Sequence, residues 1–171
     1  PCPVPGNRVV GDRVSQLSAL RDALAGVLRD AGWERQFSVF AYYPGQLPSG
    51  NVVVIEAQPE YTNWYLTFGT GRRSQLNLQL RFLIPEGGDS VSGQRALDEI
   101  LSQGTAELSS IADLFQTPGS AARTLGGLVD DVAVLAVSEY GFTDLGVGEG
   151  SPAARYIGCV VPVTIYATRS V

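Results

Sequence analysis

Gln75-Leu76-Asn77-Leu78-Gln79-Leu80-Arg81-Phe82-Leu83-Ile84 is the stretch that decides the fold. Leu76, Leu78, Leu80, Phe82 and Ile84 alternate with Gln75, Asn77, Gln79 and Arg81, and a period of two places the two sets on opposite faces of a β-strand. One face is wet and the other needs a cover. The cover lies upstream, where Val14, Leu17, Leu20, Leu24, Val27, Leu28 and Ala31 recur at helical spacing, with Arg21, Asp22, Arg29 and Asp30 off the stripe. This is an amphipathic helix of about five turns, with Asp12 as N-cap and Gly32 as its stop. A helical stripe and a sheet face that both need burial imply a layer of helix on sheet.

Working outward, Phe37–Tyr43 and Asn51–Ala57 are β-rich runs around the turn-dense segment 44–50. Val52-Val53-Val54-Ile55 does not alternate, so a strand covered on both faces is expected there. Tyr61–Gly69 and Gln75–Ile84 pair as a long hairpin, with Arg72 and Arg73 at its tip. Residues 85–89 break the sheet, and a second helix begins near Ser90 or Ser92. It turns Leu97, Ile100, Leu101 and Leu108 inward and continues to Phe115, until Thr117-Pro118-Gly119 ends it. Ser120–Leu125 reads as a short helical turn closed by Gly126-Gly127. Two strands finish the chain, Val132–Tyr140 and Tyr156–Thr168, with Gly141–Ala154 between them as a loop. Pro162 places the last strand at an edge or beside a bulge. The expected fold class is α+β: a mainly antiparallel sheet of about six strands packed against two helices. It forms a single domain over 12–171, behind an extended Pro-rich N-terminal arm over 1–11. No βαβαβ alternation occurs, which excludes a doubly wound nucleotide fold.

Composition narrows function by what is missing. The 171 residues contain no histidine, no methionine and no lysine, all twelve basic residues being arginine. The usual general base near neutral pH is therefore absent, as are Schiff-base chemistry and a P-loop lysine. A net charge of −5 gives no general grip on nucleic acid. Cys2 and Cys159 are expected to be free thiols, one exposed in the arm and one buried in a strand. The N-terminus lacks the basic and apolar regions of a secretory signal, and the apolar run around Cys159–Val163 is too short to cross a bilayer. A soluble chain made in a cytoplasm is expected.

Each candidate site has a plainer reading beside it. Residues 69–74 combine glycine with Arg72 and Arg73, but lead into a strand rather than a helix, so a hairpin tip is favoured over a phosphate cradle. Gly146–Gly150 likewise leads into a strand. The pairs Asp98-Glu99 and Asp130-Asp131 project in different directions and read as solvated charge. No catalytic residue, cofactor or metal site is expected. The aromatic residues Tyr61, Trp64 and Tyr65 lie on both faces of their strand and serve either the core or a subunit contact. Together with Arg72 and Arg73 they form the candidate interface.

The order of elements, the helix Leu17–Ala31 ending in Gly32, and the segment Thr124-Leu125-Gly126-Gly127-Leu128-Val129-Asp130-Asp131 resemble a known family. That segment leads into Val132–Ser138 and Tyr140-Gly141, and the chain closes on Val160-Val161-Pro162-Val163-Thr164-Ile165. The resemblance is to the tail terminator (minor tail protein U-like) proteins of long-tailed, non-contractile bacteriophages, of the actinobacterial-phage type. The lysine-free composition accords with a high-GC phage. On this resemblance, Gly126 and Gly127 supply a turn that a Cβ would obstruct, and Asp130 or Asp131 caps nearby amides. The resemblance implies a structural virion protein, not an enzyme: a six-fold ring of copies of the chain that caps the tail tube and stops its polymerisation. Its other partners would be the tail tube protein and a head-side connector or stopper, at the head–tail junction. DNA would pass through the lumen without specific binding. No family role is carried over to the arm or to residues 141–154. Two alternatives stand beside it: another head-to-tail joining or tail tube protein, and a monomeric cytoplasmic ligand-binding module.

Overall fold

The computed structural model describes residues 16–63, 73–87, 90–102, 110–134, 136–145 and 154–168. Helix α1 spans Gln16–Asp30 and ends as its sequence dictates, with the Ala31 and Gly32 amides bonded back to Val27 and Arg29 and Gly32 in the left-handed region (φ 88°). Its proposed N-cap Asp12, like the arm, lies outside the described residues. A 3-10 turn over Trp33–Arg35 then drops the fully buried Trp33 into the core.

Six strands form one mixed sheet in the order β1-β2-β3-β6-β4, with β5 also paired to β6. They are β1 (Ser38–Phe40), β2 (Val52–Asn63), β3 (Arg73–Pro85), β4 (Asp131–Val134), β5 (Ser138–Leu145) and β6 (Ala154–Thr168). The expectation of a mainly antiparallel sheet holds for every pair but one: β1 runs parallel to β2. Helices α2 (Ser90–Ser102) and α3 (Ile111–Gln116) join α1, so the described residues hold three α-helices rather than two. The long second helix does not run through to Phe115. Ser110 opens a new one, accepting from the Asp113 amide while Asp113 receives the Ser110 amide, a reciprocal cap.

One core lies between the sheet and the helices. Leu20, Leu24 and Leu28 of α1 share it with Leu76, Leu78, Leu80, Phe82 and Ile84 of β3, and with Ile157, Cys159, Val161, Val163 and Ile165 of β6. Leu17 packs at its margin. Trp33 and Phe37 meet the ring of Phe82 at 5.4 and 5.9 Å between centroids. A smaller cluster of Val52, Val54, Leu83 and Tyr156 lies on the other face. The non-alternating run Val52–Ile55 is thereby buried on both sides.

Several strands differ from the sequence reading, β1 keeping only Ser38–Phe40 of the proposed 37–43. The proposed strands 51–57 and 61–69 begin as one strand: β2 runs from Val52 to Asn63, and the register shifts between Ala57 and Thr62. Pro59 is tolerated there because β1 pairs only with 52–54, leaving that side of β2 open. Side-chain amides bridge the irregularity, Gln58 donating to the Leu78 carbonyl and the 8% exposed Asn77 to that of Glu60. The proposed strand 132–140 is two collinear strands along β6, and β5 takes residues 141–145 from the proposed loop. Finally β6 is not an edge: β3 flanks it on one side, β4 and β5 on the other. Pro162 falls where the neighbouring path passes from β4 to β5, so the residue without an amide proton meets an interrupted ladder.

The two edges of the sheet are finished differently. The Arg29 guanidinium donates to the Val39 carbonyl at 2.9 Å and so closes β1. β5 pairs with β6 alone and exposes Tyr140 and Phe142.

Candidate functional site

The face of the sheet away from the helices carries the polar half of the β3 alternation. Glu56 of β2 accepts from Gln79 (2.7 Å) and from Arg81 Nε (2.9 Å), both on β3. Arg81 Nη1 then reaches over β6 to Glu139 of β5 at 3.4 Å. Farther along, Asn77 accepts from Gln75 and Thr164. Desolvation opposes the Arg81 charge, but the hydrogen bonds and charges of Glu56 and then Glu139 outweigh it and hold the guanidinium above its ordinary value. One cation is thus shared between two carboxylates.

Val160 stands opposite Arg81, and two residues away on the same face of β6 Gly158 presents no side chain. Gly158 stands opposite Leu83 on one side and Gly141 on the other, so two adjacent strands present bare backbone. Above that floor opens a cleft of about 310 Å³ lined by Arg81, Leu83, Glu139, Gly141, Thr143 and Gly158 among others. Glu139 reaches the cleft through a bulge: the β5 register shifts between Ser138 and Gly141, and Glu139 itself adopts φ 51°, unusual for a residue with a side chain. Tyr140, the next residue, points the other way and donates to Asp98 of α2 at 3.1 Å.

The residues singled out in the sequence are placed unequally. Trp64, Tyr65 and Arg72 lie outside the described residues. Tyr61 belongs to β2 and Arg73 opens β3, opposite Thr168, at the end of the sheet remote from the cleft. Of the five, Tyr61 and Arg73 are the two within the described residues, and their strand positions are not at the cleft. The Gly126-Gly127 turn is present, with Leu125, Gly126 and Gly127 all at positive φ (46°, 70° and 93°). Its glycines are not there for space, since a Cβ at either would meet nothing within 4 Å; the backbone conformation is what selects them. Among the described residues Asp130 and Asp131 bond side chains rather than amides. Asp131 accepts a two-pronged bond from Arg123 (2.9 and 2.9 Å), and Asp130 accepts from the Thr168 hydroxyl at 2.6 Å. Adjacent in sequence, the two carboxylates part as a strand requires.

Among the described residues, no group of three or more Cys, Asp or Glu side chains could hold a metal ion, and no helix is long and apolar enough to cross a membrane. Cys159 is buried in the core, and burial pushes its thiol up to about 12. In the native protein Cys159 should therefore resist alkylation at pH 8 and react only on unfolding, as read by mass mapping. Because its folded pKa is raised above the unfolded value near 9, its contribution to stability is whole below pH 9 and is lost as pH rises toward 12.

Glu139 and Gly158 escaped the sequence reading. A glycine after Tyr140, in a run that is otherwise β-forming, is the one signal that could have marked the bulge. Compared with known proteins, the chain matches no family model and no curated protein.

Proposed function

We propose that this protein is a structural subunit of a bacteriophage virion, a tail terminator that assembles into a six-fold ring. The ring caps the tail tube, stops its growth and joins it to the head-side connector. The observation that carries this reading is the adjacency of the two segments on which the resemblance rests. The turn 124–131 delivers β4 against β6, with Asp131 opposite Tyr166 and Val134 opposite Val163, and the Asp130 amide bonds to the Tyr166 carbonyl. Segments about thirty residues apart in sequence therefore form one structural unit. The sequence supports the same reading, having no histidine or lysine for catalysis and a net charge that would not hold passing DNA.

A second reading, a monomeric ligand-binding module, is favoured by one observation: the glycine-floored cleft. Mass in solution separates the two. A ring of six 18.2 kDa chains has a mass of about 109 kDa by light scattering. A strict monomer that copurifies with a small molecule would overturn the ring. Tails of irregular length in lysates lacking the protein would then separate a terminator from other joining or tube proteins.

A further inference from the structure

We propose that β5 is a latch strand, one that leaves the edge of β6 while the rest of the sheet stays folded. Two strands run along that side of β6, and they are held differently. β4 sets Val132 and Val134 into the core. β5 places no residue there: every position from Ser138 to Leu145 is exposed or half-buried, and Leu145 packs only at the margin of the smaller cluster. Within its ladder Gly141 stands opposite Gly158, so no cross-strand pair of side chains forms at that level. β6 does not depend on β5 for its place. It pairs with β3 from Arg73↔Thr168 to Pro85↔Tyr156, and Ile157, Cys159, Val161, Val163 and Ile165 bind it into the core.

Side-chain bonds from its opening residues hold β5 down. Ser138 Oγ donates to the Val160 carbonyl at 3.3 Å. Glu139 then meets Arg81 on one face of the sheet at 3.4 Å, and Tyr140 donates to Asp98 of α2 on the other face at 3.1 Å. Near the far end, the Arg155 guanidinium lies 4.5 Å from the centre of the Phe142 ring. Glu139 and Tyr140 are both exposed, so water competes for each of their bonds and neither is strong. The Glu139 bond also works against its own backbone, which is held at φ 51°. A residue with a side chain is disfavoured in that conformation, and release of the strand relieves it. A strand without core contacts, pinned by weak bonds across a strained bulge, opens before the sheet that carries it. Its departure bares the main-chain edge of β6 and leaves the core intact.

The test is amide hydrogen exchange of the full chain, resolved residue by residue by NMR. In a strand between two antiparallel neighbours, successive amides point to opposite sides. Over residues 156–159 of β6 one set therefore faces β3 and the other faces β5. Opening of β5 exposes its set alone, so alternate amides there should differ in protection by at least about tenfold. A smaller difference, or no protection at all on the β5 side, overturns the latch. Glu139→Gln and Tyr140→Phe should each lower protection on the β5 side by about threefold and leave the β3 side unchanged. Either variant that leaves the β5 side unmoved, or lowers both sides together, also overturns it. Should a variant fail to fold, the comparison within wild-type β6 decides by itself.

Discussion

Gly158→Ala should deprive the chain of its native sheet. An alanine Cβ at this position would overlap the carbonyl oxygen of Phe82 and stand 3.3 Å from its carbonyl carbon and 3.4 Å from Leu83 Cδ2. The first two obstacles are backbone, so no rotamer change relieves them. They lie on β3, whose pairing with β6 is the longest in the sheet, from Arg73↔Thr168 to Pro85↔Tyr156. Relief requires β3 and β6 to part at the level where both core faces meet. Overpacking a well-filled site costs about 1–3 kcal/mol even when side chains can yield. Here they cannot, and the loss should exceed about 3 kcal/mol of a total stability on the order of 5–15 kcal/mol. Gly45→Ala is the control, since a Cβ there meets nothing within 4 Å and the backbone needs no positive φ. Denaturant melts should leave the control within about 0.5 kcal/mol of wild type and show Gly158→Ala largely unfolded or insoluble. A Gly158→Ala protein as stable as the control would mean that β3 and β6 are not in close register at Phe82.

What the sequence made legible was whatever repeats with a period. The α1 stripe, the alternation of β3 and the two-sided burial of Val52–Ile55 all follow from spacing, and each packs as expected. Features that depend on a distant partner were not legible. The parallel pairing of β1 is set by where the chain returns rather than by three residues of its own. The gap between the expected strands 51–57 and 61–69 became an irregularity inside β2, because side-chain amides from Gln58 and Asn77 bridge it. Ser110 looked like an ordinary helical residue until its reciprocal bonds with Asp113 made it a cap. The same reason hides the candidate site. Glu56, Arg81 and Glu139 are scattered over eighty residues and meet only through the register of four strands. Gly158 sits inside an apolar run where its missing side chain reads as incidental.

Leu24→Asp should be nearly as damaging, and it tests the other half of the architecture. Leu24 has no exposed surface and lies at the middle of the α1 stripe, in the same buried cluster as Leu78, Leu80 and Phe82. Removing the leucine alone forfeits about 2–5 kcal/mol of transfer and packing energy. The carboxylate adds the cost of an unpaired charge among apolar neighbours, which it can lessen only by taking up a proton. The substitution therefore has a pH signature that simple loss of volume lacks. The buried carboxyl would have a folded pKa above its unfolded value, so its penalty grows as pH rises through neutrality and shrinks toward pH 4. Leu24→Asn, of similar size and without charge, should show no such slope. Thermal melts of both variants between pH 4 and 8 separate the terms: at pH 8 the aspartate should be the less stable, and at pH 4 the two should converge. A soluble Leu24→Asp protein with full helical signal and a pH-independent melt would place α1 away from the sheet. The alternating strand would then have lost the cover that its sequence demands.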